Sequence, residues 1–150
     1  MSIKRRIYLA APLHDEADQA RNHRLACALR AEGYEVYLPQ EHGKWEDLVS
    51  KFGGKDVTRR YLYTMDLHAM QRADCCVAYM DREKGPSEGM LWEMGYMSGC
   101  NKPVFLLNPG FKWGYNLMPE FGSMCFDTAE SLLRHLNEED FIGSEVQVQE

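Results

Sequence analysis

What this sequence lacks narrows its class first. No apolar run exceeds about six residues, far short of the roughly 20 that a membrane-spanning helix needs. The formal net charge is −6. There is no basic excess of the kind that counterion release from phosphates demands, so neither a nucleic-acid nor a membrane partner is expected. The five cysteines are odd in number and contain no Cys-x-x-Cys pair, and the five histidines are scattered. Neither a disulfide framework nor a structural zinc site is expected, and no metal or other cofactor. Reduced thiols suit a cytoplasmic compartment. Cys27 and Cys76 read as small core residues. The basic start, Met1 to Arg6, is followed by a short apolar run and no cleavage site, so no signal peptide is expected. Internal repeats and low-complexity segments are absent from the sequence.

What is present is a regular alternation of strand and helix signals. The 150 residues suffice for one domain, with residues 138–150 expected to fray as a tail. Arg6 to Ala11 is a short apolar run closed by Pro12, the pattern of a buried strand. Asp15 to Glu32 carries Ala17, Ala20, Leu25, Ala28 and Leu29 near helical spacing, and Gly33 supplies a stop. Tyr34 to Leu38 is a second strand. Gln40 to Asp56 shows no clear period and holds three glycines, so it reads as a long loop. Thr58 to Arg72 is a helix, Asp74 to Met80 a strand, and Ser87 to Cys100 a helix with Ser87 as N-cap. Val104 to Leu107 is a strand, Asn108 to Gly122 a second long loop, Ser123 to Phe126 a last strand and Thr128 to Asn137 a last helix.

Five strands alternating with helices predict an α/β fold: a doubly wound five-stranded parallel sheet in order 2-1-3-4-5, in three layers. Ligands of such sheets bind outside the carboxyl ends of the strands where the order reverses. Here that is between strands 1 and 3, so the residues that follow Ala10 (Ala11 first) and those that follow Met80 are the ones to watch.

The segment after strand 3 combines a turn, Ser87-Glu88-Gly89 and a carboxylate, Glu93, between Trp92 and Met94. Gly89 and Gly95 inside a helix cost about 1 kcal/mol each relative to alanine, which suggests close packing or close ligand approach. On spacing alone Glu93 reads either as a solvated helix-surface glutamate or as a carboxylate put to use. Gln40 and His42 follow strand 2 and can reach the cleft, where glutamine offers both a donor and an acceptor. Trp45 and Trp113, on the two long loops, suit stacking on a planar ligand or simply pinning those loops.

A series of short motifs runs through the chain: Ile7-Tyr8-Leu9-Ala10-Ala11-Pro12-Leu13, Tyr37-Leu38-Pro39-Gln40, Asp66, Ala73-Asp74, Gly89-x-x-x-Glu93-x-Gly95-Tyr96, Lys102-Pro103 and Asn116-Leu117-Met118. In this order the series resembles the nucleoside 2-deoxyribosyltransferase family. The resemblance implies the doubly wound fold and enzymes that transfer deoxyribose between bases, with relatives that hydrolyse nucleoside 5′-monophosphates. It implies Glu93 as nucleophile, Asp66 as the aspartate that assists it and Tyr8 as the tyrosine that orients it. It also implies that Asn116 is donated to a neighbouring subunit's site, hence a homodimer or higher homo-oligomer. The residue types suit the chemistry. A carboxylate under a sugar ring can stabilise oxocarbenium character and then bond covalently, while a second carboxyl protonates the leaving base.

Ser87 departs from the transferases, which carry an aspartate there for the sugar 5′-hydroxyl, and matches the monophosphate hydrolases. Glu88, one position on, could replace that aspartate. The loop Pro12 to Glu16 lacks the Ser and Arg with which the hydrolases cradle phosphate, and Asn116 matches the transferases. The expected substrate is therefore a (deoxy)nucleoside, with free base as the other partner. A nucleoside 5′-monophosphate remains the alternative, and a non-catalytic nucleotide-binding domain the second. The apolar helix face of Met90, Met94 and Met97 reads equally as a subunit interface or as core.

Overall fold

The computed structural model describes residues 4–81, 83–110 and 116–147, with side chains through residue 140. Its strands are β1 (Arg6–Ala10), β2 (Glu35–Tyr37), β3 (Cys75–Tyr79), β4 (Val104–Leu107) and β5 (Met124–Phe126). All pair in parallel, in order β2-β1-β3-β4-β5. The helices are α1 (Glu16–Ala31), α2 (Trp45–Phe52), α3 (Lys55–Arg72), α4 (Glu88–Gly99), α5 (Leu117–Phe121) and α6 (Ala129–Gln147), with a short 3-10 turn at Pro39–His42.

The strands read as continuous apolar runs because both sheet faces are covered. Alternate residues separate cleanly between the faces. Ile7, Leu9, Cys75, Val77, Phe105 and Leu107 pack with Leu25 and Leu29 of α1 and Leu132 and Leu136 of α6. Tyr8, Ala10, Cys76, Ala78, Val104 and Leu106 pack with Ala69 and Met70 of α3 and Met90, Met94 and Met97 of α4. The three methionines are at most 5% exposed. They are core, so the subunit-interface reading of that face is overturned. The helix lies flat on the sheet and turns its i, i+4, i+7 stripe inward.

Caps fix the ends of the site-bearing helices. Asp15 accepts from Asp18 N at the start of α1, and Ser87 accepts from Met90 N at 3.2 Å at the start of α4. Each such cap contributes about 1 kcal/mol. Three expectations fail. Gln40 to Asp56 is not a loop, because it holds the 3-10 turn, all of α2 and the start of α3. Trp45, Leu48, Val49 and Phe52 give α2 its i, i+3, i+4, i+7 face, and Gly53, at φ 81°, is a left-handed cap rather than a loop marker. Cys27 is exposed, on the outer side of α1, whereas Cys76 is buried. Asn108 to Gly122 is not wholly a loop either, because it ends in α5. The α6 helix runs on to Gln147, and Arg5 pairs with Asp140 at 2.6 Å and Glu139 at 2.9 Å. No described helix is long and apolar enough to cross a membrane.

Candidate active site

Two adjoining cavities open at the carboxyl ends of β1, β2 and β3, where the strand order reverses. The first, about 490 Å³, is lined by Ala11, Leu13 and His14 after β1, Pro39 after β2, and Pro86 to Met90 and Glu93 after β3. The second, about 640 Å³, shares Leu13, His14 and Pro39 and extends past Gln40, His42, Trp45 and Asp66. Each is large enough to take part of a small ligand.

Glu93 lies in the second turn of α4, one residue before the buried Met94, so it is half-buried and turned toward the first cavity's lining. Tyr8, wholly buried in β1, donates its hydroxyl to Glu93 Oε1 at 2.7 Å. Burial pushes the Glu93 carboxyl up to about 7, and the nearby charge of Asp66 adds to the push, against the hydrogen bond from Tyr8. Burial and the neighbouring carboxylates raise the Tyr8 hydroxyl well above its usual range, so it stays a donor.

Asp66, on α3, lines the second cavity. Its Oδ1 accepts from the Tyr37 hydroxyl at 2.8 Å and lies 3.3 Å from His42 Nε2. Tyr37 and His42 also contact each other directly. Burial raises the Asp66 carboxyl, while Tyr37 and His42 pull it back down.

The other sequence-predicted residues divide. Ala11, Ser87, Glu88 and Gly89 line the first cavity. A Cβ at Gly89 would meet nothing of the chain within 4 Å, so this glycine adjoins open space and not a packing contact. His42 and Trp45 line the second cavity, Trp45 from the first residue of α2 and not from a loop. Gln40 lines it too, but its amide is committed to α1: Oε1 accepts from Asn22 at 3.1 Å and Nε2 donates to the Gln19 carbonyl at 2.8 Å. Each end keeps one further bonding position. Asn116 lines neither cavity. It caps α5, accepting from Met118 N at 3.0 Å, and borders a separate 380 Å³ cavity with Leu91, Gly95 and Ser98. Trp113 lies outside the described residues.

Sequence reasoning missed four residues of the site and its support. His14 lines both cavities. Tyr37 holds Asp66. Asn22, 1% exposed, donates to the Pro12 carbonyl at 2.8 Å and to Gln40, joining the turns that follow β1 and β2. Asp18, also 1% exposed, pairs with Arg21 at 3.0 Å and Lys84 at 3.2 Å and ties α1 to the turn before Ser87. A signal existed for the last two: Asp18 and Asn22 share the inward stripe of α1 with Leu25 and Leu29, at i, i+4, i+7 and i+11.

The arrangement can hold a planar ring beside a carboxyl and a second ring over another carboxylate. Comparisons with known proteins bear on the family and the fold. The nucleoside 2-deoxyribosyltransferase family profile matches residues 7–130. Among curated protein sequences none matches. A 2-deoxyribosyltransferase from the psychrotolerant bacterium Bacillus psychrosaccharolyticus shares the fold with a TM-score of 0.71 and 24% identity, over 85% of this chain and 90% of that one. One from Leishmania mexicana superposes with a TM-score of 0.64 and 18% identity, over 89% and 97% of the two chains. A CMP N-glycosidase from Clostridium botulinum gives 0.58 and 17%, over 88% and 98%. With the family profile spanning all five strands and both carboxyl-bearing helices, the chain belongs to the nucleoside 2-deoxyribosyltransferase family, enzymes that act on N-glycosyl bonds.

Proposed function

We propose that the protein cleaves the N-glycosidic bond of a (deoxy)nucleoside through a covalent glycosyl-Glu93 intermediate and passes the sugar to another base or to water. The observation that carries this reading is the buried Tyr8 hydroxyl on Glu93 Oε1. One carboxylate oxygen is fixed and the other is left to attack. The sugar occupies the first cavity over Glu93, with Ser87 and Glu88 at its 5′ end. The base occupies the second, with Trp45 and His42 beside it and Asp66 within reach of its nitrogens. Glu93 attacks C1′, the bond to the base breaks, and Asp66 protonates the departing base. Water or an acceptor base then reverses the step.

The charge of the first cavity favours a nucleoside over its 5′-monophosphate. Its described lining holds two carboxylates, Glu88 and Glu93, and neither Lys nor Arg. Lys84, in the turn before Ser87, is already bound to Asp15 at 2.6 Å and to the buried Asp18. A second reading, cleavage of a 5′-monophosphate, rests on Ser87 itself, a neutral hydroxyl at the N-terminus of α4, where a phosphate is favoured.

The site is shared between copies of this chain in our reading. Asn116 is not among the residues that line the two cavities of its own chain, and beside it Leu117, Met118 and Phe121 are 65%, 72% and 78% exposed. A second copy that covers this apolar face would bring Asn116 to its neighbour's cleft. Sedimentation at micromolar concentration should show a dimer or larger, and a monomer alone would contradict sharing.

A panel of nucleosides and their 5′-monophosphates, with and without an acceptor base, tests the whole reading by chromatography of released base. The nucleosides should be cleaved faster. Ser87→Asp should keep or raise that activity, because an ionised acceptor binds a hydroxyl more strongly, and should cost about a thousandfold or more on a monophosphate. Faster cleavage of the monophosphate, reversed by Ser87→Asp, would replace the first reading by the second.

A further inference from the structure

Two tyrosines stand side by side on neighbouring strands. β1 and β2 pair with Tyr8 opposite Tyr37, and the rings stack with centroids 5.5 Å apart and planes 19° from parallel. Their hydroxyls reach carboxyls on different helices, Tyr8 to Glu93 on α4 and Tyr37 to Asp66 on α3. The cleavage scheme uses the first contact and leaves the second without a task.

The geometry around Asp66 is asymmetric. Tyr37 has one proton, and it is directed at Asp66 Oδ1. His42 Nε2 lies against the same tyrosine oxygen and 3.3 Å from the same Oδ1. Oδ1 is thus held by the Tyr37 donor with the His42 ring against it, whereas Oδ2 makes no hydrogen bond among the described residues.

We propose that Tyr37 is the positioning residue for Asp66, fixing Oδ1 so that Oδ2 is the oxygen that hands its proton to the departing base. The inference rests on the reading of Asp66 as the acid. As the C1′–N bond breaks, its electron pair goes to the base nitrogen, which takes the proton from Oδ2. Glu93 meanwhile bonds to C1′. The charge left on Asp66 spreads to Oδ1, where the Tyr37 hydroxyl stabilises it. One contact thereby sets the side-chain rotamer and strengthens the acid.

Tyr37→Phe keeps the ring and its stacking and removes only the hydroxyl. The test compares a 2′-deoxynucleoside, whose base needs a proton to leave, with para-nitrophenyl 2-deoxyribofuranoside, which leaves as a stable phenolate. Loss of a positioned acid should lower kcat on the nucleoside about 10- to 100-fold with KM little changed, and alter the nitrophenyl substrate less than about 3-fold. In an Asp66→Asn background Tyr37→Phe should add less than about 3-fold on the nucleoside, because the two act as one unit. Should Tyr37→Phe not fold, site-specific 3-fluorotyrosine at position 37, whose more acidic hydroxyl donates more strongly to Oδ1, should shift kcat on the nucleoside and leave the nitrophenyl substrate within about 3-fold, and an unchanged nucleoside kcat in that variant would overturn the role. Equal losses on both substrates, no loss on either, or a full multiplicative loss in the Asp66→Asn background would overturn the role of Tyr37. Wild-type nucleoside cleavage by Asp66→Asn alone would instead overturn the reading of Asp66, and this proposal with it.

Discussion

The two tyrosine–carboxyl pairs at the ends of β1 and β2 look alike and differ in their surroundings. Among the described residues Glu93 has Tyr8 alone as a hydrogen-bond partner, burial dominates, and its carboxyl is pushed up to about 7. Asp66 is also raised by burial, but Tyr37 and His42 both pull it down. Burial thus holds a proton on Glu93 toward neutral pH, whereas the proposed step needs one on Asp66. In the proposed step, ligand binding supplies the difference. An electron-poor sugar carbon over Glu93 favours its ionised form, and an apolar base against Asp66 favours its neutral form.

The comparison breaks most visibly at the nucleophile. Glu93→Ala should cut turnover by about ten-thousandfold or more on every substrate, with the fold retained by circular dichroism. Wild-type-like base release would remove Glu93 from the chemistry. Asp66→Asn should have a smaller and selective effect, about 100- to 10,000-fold on nucleosides and far less on para-nitrophenyl deoxyriboside. An equal loss on both would make the two carboxyls equivalent.

The pH profile sharpens the contrast further, with kcat/KM reporting the free enzyme. The working form carries one proton on the pair. On a nucleoside, kcat/KM should fall as pH rises through about 7, where the last of these protons is lost. On the nitrophenyl substrate only an ionised Glu93 is needed, so kcat/KM should rise through the same region and level off. Parallel profiles for the two substrates would contradict the division of roles.

The smallest expected effect is on stability. Glu93 keeps its proton to about 7 in the folded chain, against an ordinary value of 4.5. Between these values the native state binds more protons than the unfolded one, so this group's contribution falls as pH rises across the window. Glu93→Gln keeps an acceptor for Tyr8 and removes the ionisation. Allowing for its partial exposure to the cleft, it should stabilise on the order of 2 kcal/mol at about pH 8, or roughly 4–8 °C in Tm, and almost nothing at about pH 4. Equal melting shifts at both pH values would mean that Glu93 is not strained by burial.

Sheet order was legible in the sequence because it follows from strong local signals, continuous apolar strands with Pro12 and Pro39 closing two of them, whereas the pairing of Tyr8 with Glu93 was implied only by the family resemblance and not by any local pattern. Tyr37 was legible only as a strand residue. Its task depends on β2 lying in register beside β1 and on α3 crossing behind both, which no local pattern encodes. The α2 helix was hidden because Gly43, Gly53 and Gly54 surround a face of only four apolar residues. Cys27 was misplaced because helical position, not residue type, decides burial, and Met90, Met94 and Met97 became legible only once α4 was laid on the sheet. The part of α6 beyond Asn137 meets Arg5, more than 130 positions away in sequence, through Glu139 and Asp140.

The most direct test of the central claim is to trap the sugar on the protein. A nucleoside of 2-deoxy-2-fluoroarabinose slows breakdown of a glycosyl-enzyme by destabilising positive charge at C1′. Intact-mass and peptide mass spectrometry of the wild type after incubation should show one added fluorosugar per chain, located on Glu93 and absent from Glu93→Gln. Release of base without any adduct, or an adduct on another residue, would contradict covalent catalysis by Glu93.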